Sequence, residues 1–574
     1  MSGTEPLSRG ERILFRGGGV FDGHRHHPGG HPGGRAGLAV LVDGGLVSAV
    51  LPEAEAADLV GLRSVDRVVD LEGGLVAPGF VDAHVHVVQG GLERIRCDLS
   101  TSGSREEYRA TVAGYAAAHP DASWILGGGW EMAAFPGGTP TAADLDDVVA
   151  DRPVFLPNRD HHGAWVNSRA LELAGIDAST PDPADGRVER DASGRPTGTL
   201  HEGAMSLVTR LLPATTPEEQ RRGLLAGQAY LHECGVTGWQ DAILGAYAGM
   251  DDPSETYLWA ARTGALTGSV VGALWWDREC GHEDARLAAQ VAELVERRAA
   301  YTHGRLRATS VKIMADGVAE NGTAAMLSPY LDRCGHPTHN RGLSFLPADV
   351  LRDVVGRLHG QGFQVHVHTI GDRGVREALD AFAALPPDRG TGRHHLAHVQ
   401  VVHPDDVPRF AALGVAANLQ MLWACHDQQM VELTLPHLGP ERARWQYPFG
   451  ALDRAGAHLA AGSDWPVSTP NPLEAIHVAV NRTAYGAGGR EGADPFLPEQ
   501  ALSAERAFAA YTSGSAWLNH RDGSDGRPPA GVLRPGAVAD LVVLDRDPLA
   551  GAAEEIGAAR VRSTWVDGRV VAEP

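Results

Sequence analysis

The lysine content of the sequence is the first feature with chemical meaning. Of the 50 residues counted as lysine plus arginine, 49 are arginine, and the single lysine is Lys312. An amine can lose its proton and act as a nucleophile or take up CO2 as a carbamate, whereas a guanidinium group stays protonated. A lysine in a chain that otherwise uses arginine therefore indicates a chemical role for Lys312. The alternative is chance, with one lysine escaping a coding bias toward arginine, alanine and glycine.

Histidine pairs at the ends of two apolar runs give the second chemical signal. His84 and His86 close the run that follows Pro78-Gly79. The period-2 alternation of a strand places both imidazoles on one face, where they can bind a single metal ion. His366 and His368 repeat the same spacing later in the chain.

A further group of histidines lies in a Gly/Pro-rich tract near the N-terminus and comprises His24, His26, His27 and His31. A His-rich tract can bind metal. Nothing in the surrounding sequence would hold these rings rigid, so we expect a mobile, solvent-exposed loop here instead of a metal site.

The elements that carry the paired histidines follow a regular alternation of apolar runs and amphipathic segments. Besides the His84 strand, which spans Phe80–Val88, the predicted strands are Gly235–Ala242, Gly268–Trp276, Ala308–Ala315, Gln364–Thr369, His394–Gln400, Val415–Gln420 and Ala457–Gly462. Helical patterns separate most of them, for example Glu283–Ala300, Pro347–Gln361, Arg373–Ala384 and Asp405–Leu413. Strand–helix alternation predicts a parallel sheet, and eight such strands favour a (β/α)8 barrel.

A barrel makes a demand on the candidate residues, because its active-site groups lie at the C-terminal ends of the strands. The sequence meets this demand. Metal-capable side chains come from strands 1, 4, 5, 6 and 8, and they are His84, His86, Lys312, His366 or His368, His398 and Asp464.

The predicted fold is therefore α/β, a distorted TIM barrel over residues 78–519. Short β segments at both ends of the chain, with hairpin signals such as Asp43-Gly44 and Asp567-Gly568, predict one composite β-sandwich domain from residues 1–77 and 520–574. Residues from about 98 to 230 combine helical patterns with Gly/Pro-rich turns and are too long for a simple connection. We expect them to form an inserted subdomain after strand 1 that covers the site.

The composition excludes several classes of function. The formal net charge of −22 argues against nucleic acid or an anionic membrane as the main partner. No apolar run approaches the roughly 20 residues of a membrane helix, and Met1–Arg12 lacks the apolar core of a signal peptide. The five cysteines are scattered without a C-x-x-C pair, which is typical of reduced thiols in the cytoplasm. Lys312 precedes Ile313, which excludes a P-loop, and the sequence has no G-x-S-x-G nucleophile elbow.

The converging side chains have the chemistry to bind two divalent ions. Two such ions roughly 3.5–4 Å apart can share a hydroxide, and zinc lowers the pKa of bound water to about 7. An ammonium group cannot bind a metal, but a carbamate on Lys312 would be an anionic ligand able to bridge two ions. Burial would favour the neutral amine from which a carbamate forms. Lysine can form such a carbamate, and arginine cannot.

Five motifs combine these residues, and they are Pro78–His86 (PGFVDAHVH), Val311–Gly317 (VKIMADG), His368–Asp372 (HTIGD), Ala397–Gln400 (AHVQ) and Gly462–Pro466 (GSDWP). In combination they resemble the metal-dependent amidohydrolase superfamily. The closer match is its amidohydrolase 3, or YtcJ-like, branch, which includes N-substituted formamide deformylases. The tail Leu533–Asp545 resembles the closing β segment of that family, so the resemblance covers nearly the whole chain.

The resemblance implies a role for each residue of the constellation. The implied ligands are His84, His86 and Asp464 for one zinc ion, His368 and His398 for a second, and a CO2-derived carbamate on Lys312 as the bridge. Asp464, Lys312 and His368 would be the catalytic groups, and Asp464 would carry a proton from the attacking water to the leaving nitrogen. Some superfamily members work with a single ion, so a one-metal site stays open. The family pattern matches His368 and not His366, so we expect His366 to pack inward or to contact a ligand.

Seven further residues are candidates for substrate contact, and they are His162, Asp160, Trp130, Asn321, Gln420, Trp423 and Trp465. His162 could stabilise an oxyanion, or it could serve only loop hydrogen bonds. The three indoles suit an aromatic or apolar substrate, or else they belong to the core. His161 departs from the family pattern, in which glycine often precedes His162, and this departure concerns the substrate more than the chemistry.

The leading hypothesis is a cytoplasmic metal-dependent enzyme that hydrolyses a non-peptide C–N bond in an amide or N-substituted formamide. The alternatives are a one-metal deaminase of a cyclic amidine, a lyase that forms a Schiff base on Lys312, and a non-enzymatic regulator. The expected partner is a small amide-type molecule. We expect no nucleic-acid or membrane partner, and a homodimer is compatible with the sequence.

Overall fold

The computed structural model describes residues 11–29, 37–183, 185–247, 249–387, 392–486 and 494–574. Most of the N-terminal segment Met1–Arg12 and His31 of the histidine tract lie outside the described residues. In the described part of the chain, no helix is long and apolar enough to cross a membrane.

The strands fall into three successive parts of the chain. The first part contains β1 (Arg12–Arg16), β2 (Gly19–Phe21), β3 (His26–His27), β4 (Leu38–Asp43), β5 (Leu46–Pro52), β6 (Arg67–Asp70), β7 (Leu75–Pro78) and β8 (Phe80–Val85). The second contains β9 (Cys97–Asp98), β10 (Ile125–Gly128), β11 (Val154–Pro157), β12 (Gly163–Val166), β13 (Gly186–Arg190) and β14 (Pro196–Glu202). The third contains β15 (Val236–Leu244), β16 (Ser269–Trp275), β17 (Leu306–Met314), β18 (Gln364–Thr369), β19 (His395–His398), β20 (Ala416–Leu419), β21 (Leu459–Ala461), β22 (Leu541–Leu544), β23 (Val561–Val566) and β24 (Arg569–Ala572).

The α-helices connect and cover these strands. Up to β15 they are α1 (Glu53–Gly61), α2 (Val87–Ile95), α3 (Arg105–Ala118), α4 (Ala142–Asp146), α5 (Ser168–Ala174), α6 (Ser206–Thr209) and α7 (Pro217–Glu233). Beyond β15 they are α8 (Ser254–Thr263), α9 (Asp284–Ala300), α10 (Ala348–Gly360), α11 (Asp372–Ala383), α12 (Val407–Leu413), α13 (Leu435–Ala443), α14 (Phe449–Arg454), α15 (Pro472–Asn481), α16 (Ala504–Ala509) and α17 (Ser515–Leu518).

The barrel is a sheet of eight parallel strands in the order β8-β15-β16-β17-β18-β19-β20-β21. Just beyond β21 the chain returns to β8, where the backbone N–H of Asp464 donates to the carbonyl oxygen of His84 at 2.7 Å. The N–H of His86 donates to the carbonyl oxygen of Trp465 at 2.8 Å. The predicted barrel is confirmed, and each of its predicted strands has a counterpart within a few residues.

Alternation along the strands sorts polar side chains from apolar ones. In β18 the apolar Val365 and Val367 join the core between the strands and the outer helices. Since successive side chains of a strand point to opposite faces, His366 and His368 point into the barrel. In β17, Val311 joins the same outer core, so Lys312 also points inward.

The outer helices complete the barrel with single apolar stripes. The buried residues of α10 are Leu351, Val354, Val355 and Leu358, and those of α11 include Val375, Ala378, Leu379 and Phe382. Each set follows the i, i+3, i+4, i+7 spacing of a helix that buries one face. This layer fixes the strands and therefore the side chains at their C-terminal ends.

One strand boundary differs from the prediction in a way that matters for the site. The first barrel strand, β8, ends at Val85 and not at Val88. His86 instead caps α2, with its carbonyl oxygen accepting from the N–H of Gly90 at 2.9 Å. The N–H of Val87 donates to the carboxylate of Asp241, which holds the start of the helix against β15.

The two ends of the chain build β structure together. A six-stranded sheet, β24-β23-β22-β7-β2-β3, contains strands from both ends, and β22 pairs antiparallel with β7. A four-stranded sheet, β5-β4-β1-β6, packs on it. Side chains of both sheets share one apolar core, in which the rings of Phe15 and Trp565 lie 5.1 Å apart edge to face.

The region after strand 1 is richer in strands than its helical patterns predict. It contains a six-stranded sheet in the order β13-β14-β12-β11-β10-β9. These strands are short and interrupted by glycine and proline, so period-2 alternation barely develops along them. Helix α7, at the end of the predicted insertion, packs directly against α2 of the barrel, where Gly91 and Gly223 allow the two backbones to approach closely.

The histidine tract is more ordered than expected. His26 and His27 form β3, which pairs with β2. The His26 ring nitrogen Nε2 lies 2.7 Å from a carboxylate oxygen of Asp547, and that of His27 lies 3.0 Å from Asp22. The expectation of a mobile exposed loop is therefore wrong for these two residues, because carboxylates from outside the tract hold their rings.

Candidate metal centre and active site

The centre of the site is a group of three side chains, here named the ligand cluster, made up of His84, His86 and Asp464. The Oδ1 oxygen of Asp464 lies 3.2 Å from Nε2 of His84 and 3.1 Å from Nε2 of His86. The candidate ligand atoms of all three lie within 4.8 Å of one another. Burial lowers the pKa of His84 to about 3, so its imidazole is neutral, as metal binding requires.

Asp464 is held in place by an unusual backbone and by the first strand. Its φ is 56°, in the left-handed region that non-glycine residues rarely adopt. The N–H groups of His84 and Ser463 both donate to Oδ1 of Asp82 at 3.0 Å. Asp82 thereby ties strands 1 and 8 together beneath the ligand cluster, and burial raises its pKa to about 7. Asp82 lies in the PGFVDAHVH motif, but the sequence did not indicate its role.

Lys312 reaches the cluster from β17. Its Nζ lies 3.4 Å from Nε2 of His84, and the residue is only 2% exposed. Burial lowers the pKa of the Lys312 amine to about 8. A substantial neutral fraction near physiological pH is the state in which an amine can react with CO2.

His368 and His398 stand beside the cluster with their rings 4.5 Å apart. Nδ1 of His368 lies 3.2 Å from Oδ1 of Asp316, which leaves Nε2 free to bind a metal. Asp316 also accepts from the N–H groups of Ile370 and Gly371, so it is fixed before it orients the ring. Asp316, like Asp82, is a positioning residue that sequence reasoning missed although its motif was recognised.

His398 is positioned differently, through its backbone and its ring face. Its φ is 76°, and its N–H donates to Oε1 of Gln420 at 2.7 Å. Its ring stacks on Trp423 with centroids 5.3 Å apart and planes at 7°. Nδ1 of His398 lies 3.8 Å from Oδ2 of Asp464, within reach of the same centre.

The donor set fits a divalent cation. Oδ1 of Asp464 and Nδ1 of His398 are buried and make no hydrogen bond of good geometry among the described residues, and the nitrogens nearest to Oδ1 are themselves candidate ligand atoms. Buried polar atoms are normally paired, so two unpaired acceptors around one point indicate a missing partner. Neutral imidazoles with a carboxylate are the ligands of zinc and similar ions.

Comparison with known proteins agrees with this chemistry. Residues 67–572 match the model of the amidohydrolase family. The chain belongs to that family. Putative amidohydrolase YtcJ of Bacillus subtilis (strain 168) is 28% identical over 543 residues, covering 93% of this chain and 96% of the relative. N-substituted formamide deformylase of Arthrobacter pascens is 28% identical over 556 residues, covering 92% of this chain and 94% of that protein.

A solved structure shows the same fold. An uncharacterized metal-dependent hydrolase from Pyrococcus furiosus superposes with a TM-score of 0.66 at 24% identity, covering 94% of this chain and 100% of that one. Together with the two curated relatives, this confirms the resemblance to the YtcJ-like amidohydrolases.

A charged pair borders the metal centre of this amidohydrolase. Nδ1 of His162 lies 2.9 Å from Oε1 of Glu202, and the His162 ring is 5.9 Å from that of His368. Burial opposes the imidazolium, but the Glu202 carboxylate outweighs it and raises the pKa of His162 to about 9. His162 is therefore a cation at neutral pH, with its second nitrogen available to a ligand. Glu202 had no signal in the sequence.

Two other predicted substrate residues support this pair. Asn321 donates to Glu202 at 3.3 Å, and Asp160 accepts from the backbone N–H of His162 at 2.9 Å. Trp423 is half-buried against the His398 ring and lies beside the centre. Asn321, Asp160 and Trp423 therefore lie at the site, and their contact with substrate stays a prediction.

Three other predicted substrate residues are buried in the structure. Trp130 is 1% exposed in the core of the inserted region, and its indole N–H donates to the Leu156 carbonyl oxygen. Trp465 packs into the core against α2 and α7, where its ring fills the space beside Gly90. Gln420 is 1% exposed, and its amide serves the backbone around His398. All three side chains take part in packing or in hydrogen bonds within the protein, and their contact with substrate stays a prediction.

His366 contacts the ligand cluster from behind. Its Nε2 lies 2.9 Å from Nδ1 of His84. A hydrogen bond at this nitrogen fixes which ring nitrogen of His84 faces the metal and how the ring is oriented.

Removing this bond should weaken metal binding. We expect His366→Leu to lower the affinity for the first divalent ion by about 10–100-fold, because the His84 ring loses its hydrogen-bond partner. The measurement is competition for zinc with a chromophoric chelator, which needs no activity assay. His366→Gln, which can keep a bond to His84, should lose less. Equal affinity in wild type and His366→Leu would contradict the positioning role.

Proposed function

We propose that this amidohydrolase hydrolyses a non-peptide C–N bond in a small amide or N-substituted formamide. The observation that carries the proposal is the ligand cluster at the C-terminal end of the barrel, flanked by Lys312, His368 and His398. The similarity to an N-substituted formamide deformylase supports this choice of bond.

The residues divide the chemistry among themselves. A divalent ion held by the ligand cluster would act as a Lewis acid and lower the pKa of water, and a carbamate on Lys312 with His368 and His398 would hold a second ion. The Asp464 carboxylate is placed to accept the proton of the attacking water and return it to the leaving nitrogen. His162, cationic because of Glu202, is a candidate donor for the developing oxyanion.

The one-metal alternative keeps a specific observation in its favour. The ligand cluster alone is a compact set of two imidazoles and one carboxylate, without any modified lysine. Such a site could serve a deaminase of a cyclic amidine. The two functions differ in their products, because an amide releases a substituted amine whereas the deaminase releases ammonia.

Removing the metal tests the proposed function. We expect protein stripped with dipicolinate to lose hydrolysis of N-substituted formamides and acetamides almost completely, and added zinc to restore it, because the ion activates the water. The released amine is measured by derivatisation and chromatography, with a cyclic amidine panel assayed for ammonia in parallel. Turnover by metal-free protein would contradict the proposal. Ammonia release confined to the amidines would replace it with the deaminase.

A further inference from the structure

Tyr247 lines three cavities, one of which reaches the ligand cluster at His86. The first, of about 30 Å³, is lined by His86 and Tyr247 and reaches the cluster. The second, of about 40 Å³, is lined by His161, Gln89 and Tyr247. The third, of about 670 Å³, is lined by Tyr247 and Trp275. We name the second the narrow cavity and the third the wide cavity.

The two volumes set different limits on what can bind. The wide cavity has the size of an ordinary small-molecule site. The narrow cavity has room for only a few water-sized groups, since one water needs about 10–15 Å³ of such space. A substrate that spans both cavities would therefore have two substituents of unequal size, one of a few atoms and the other much larger.

His161 lines the narrow cavity, and its backbone adopts a conformation that is unfavourable for a residue with a side chain. Its φ is 62°, in the region that favours glycine. The residue is 9% exposed, so its ring occupies interior space that a glycine would leave open. A bulky side chain kept at such a position indicates a use for that side chain.

The His161 ring also makes the cavity wall polar. Its Nδ1 lies 2.8 Å from the amide nitrogen of Gln89, which donates, so the ring proton sits on Nε2. Nε2 lies 3.3 Å from Glu93 and has no hydrogen-bond partner among the residues that the structure describes. These neighbours hold the ring in place at the cavity wall.

We propose that His161 determines specificity by restricting the narrow cavity to a very small acyl group, such as formyl, while the wide cavity takes the N-substituent. The inference rests on the proposed function, because it assigns the narrow cavity to the acyl side of an amide. The bulk of the ring sets this limit, because it fills space that a smaller residue would leave open.

The test compares acyl groups of increasing length on one fixed amine, N-(2-phenylethyl), with zinc-loaded wild type, His161→Gly and His161→Ala. We expect kcat/KM of the wild type to fall about 100-fold from formyl to propionyl, in line with the selectivity of a pocket for one or two methylenes. Both variants should reduce that fall to about tenfold or less. An unchanged ratio in both variants would overturn the proposal.

A matched control separates specificity from relief of backbone strain. His520 also has a positive φ, of 54°, and lies outside the three cavities. His520→Gly should leave the acyl preference at the wild-type ratio, and a shift equal to that of His161→Gly would overturn the proposal.

Failure of the proposed function would be seen separately, as no amine release by wild type from any amide. The cavity assignment is then tested by calorimetric titration of zinc-loaded protein with formate, acetate and propionate. His161→Gly should gain about tenfold in affinity for propionate relative to formate, and equal ratios in both proteins would overturn the assignment.

Discussion

Asp464→Asn is expected to lower kcat on an N-substituted formamide by about 10²–10⁴-fold, the usual contribution of a general acid–base group. Asparagine keeps the shape and one oxygen, but its amide cannot accept the proton of the attacking water or return it to the leaving nitrogen. The Asp464 carboxylate also lies 3.2 Å and 3.1 Å from the two cluster imidazoles, so the variant loses an anionic ligand as well.

The two losses can be separated by measuring bound zinc along with the rate. If Asp464→Asn retains its zinc but not its rate, the proton-transfer role carries the loss, and added zinc should not restore activity. If zinc falls too, saturation with zinc should recover only part of the rate. Asp453→Asn, which removes a surface carboxylate paired with Arg506, is the matched control and should behave as wild type. Near-normal kcat in Asp464→Asn would refute the assignment.

The barrel could be predicted because alternation along its strands is strict. In β18, valines face the helices while Gln364, His366 and His368 face the interior, and the same period appears around Lys312. Once eight such strands are placed, their C-terminal ends bring the histidines together without further information.

The contacts that support the ligands could not be assigned in this way. Asp316 and Glu202 act through contacts that join positions far apart in sequence, and His366, although expected to pack inward or contact a ligand, meets its partner His84 across 282 residues. A periodic pattern reports which face a side chain lies on and not which distant group it meets. For the same reason the sequence could not show that Trp130 and Trp465 pack into the core, since an indole near a loop end gives the same sequence pattern whether it faces a cavity or the core.

The strained backbone conformations at the site could not be predicted from the sequence either. Asp464, His398 and His161 all have positive φ values, of 56°, 76° and 62°. Aspartate and histidine enter this region more often than most non-glycine residues, but that preference is too weak to predict it at a particular position. These conformations are imposed by tertiary hydrogen bonds, such as those from Asp464 to His84 and from His398 to Gln420.

Lys312→Ala and Lys312→Arg are both expected to reduce the divalent metal content of the purified protein from two ions to one or none. The neutral Nζ of lysine attacks CO2 and loses one proton, which leaves a carbamate anion able to bind two ions at once. Neither substitute can form it: alanine has no nitrogen, and the guanidinium of arginine stays protonated. Metal content is measured by mass spectrometry after growth and purification with and without bicarbonate.

The arginine variant is the sharper of the two because it retains positive charge and bulk. Arginine cannot form the carbamate, so a Lys312→Arg variant that keeps both ions would show that the carbamate is not required. Lys312 is 2% exposed and 3.4 Å from His84, so Lys312→Ala leaves a small buried gap next to the ligand cluster. Added acetate or propionate should enter this gap, supply the missing carboxylate and recover part of the second ion. Wild-type metal content in both variants, independent of bicarbonate, would show that Lys312 acts as a plain amine beside a single ion.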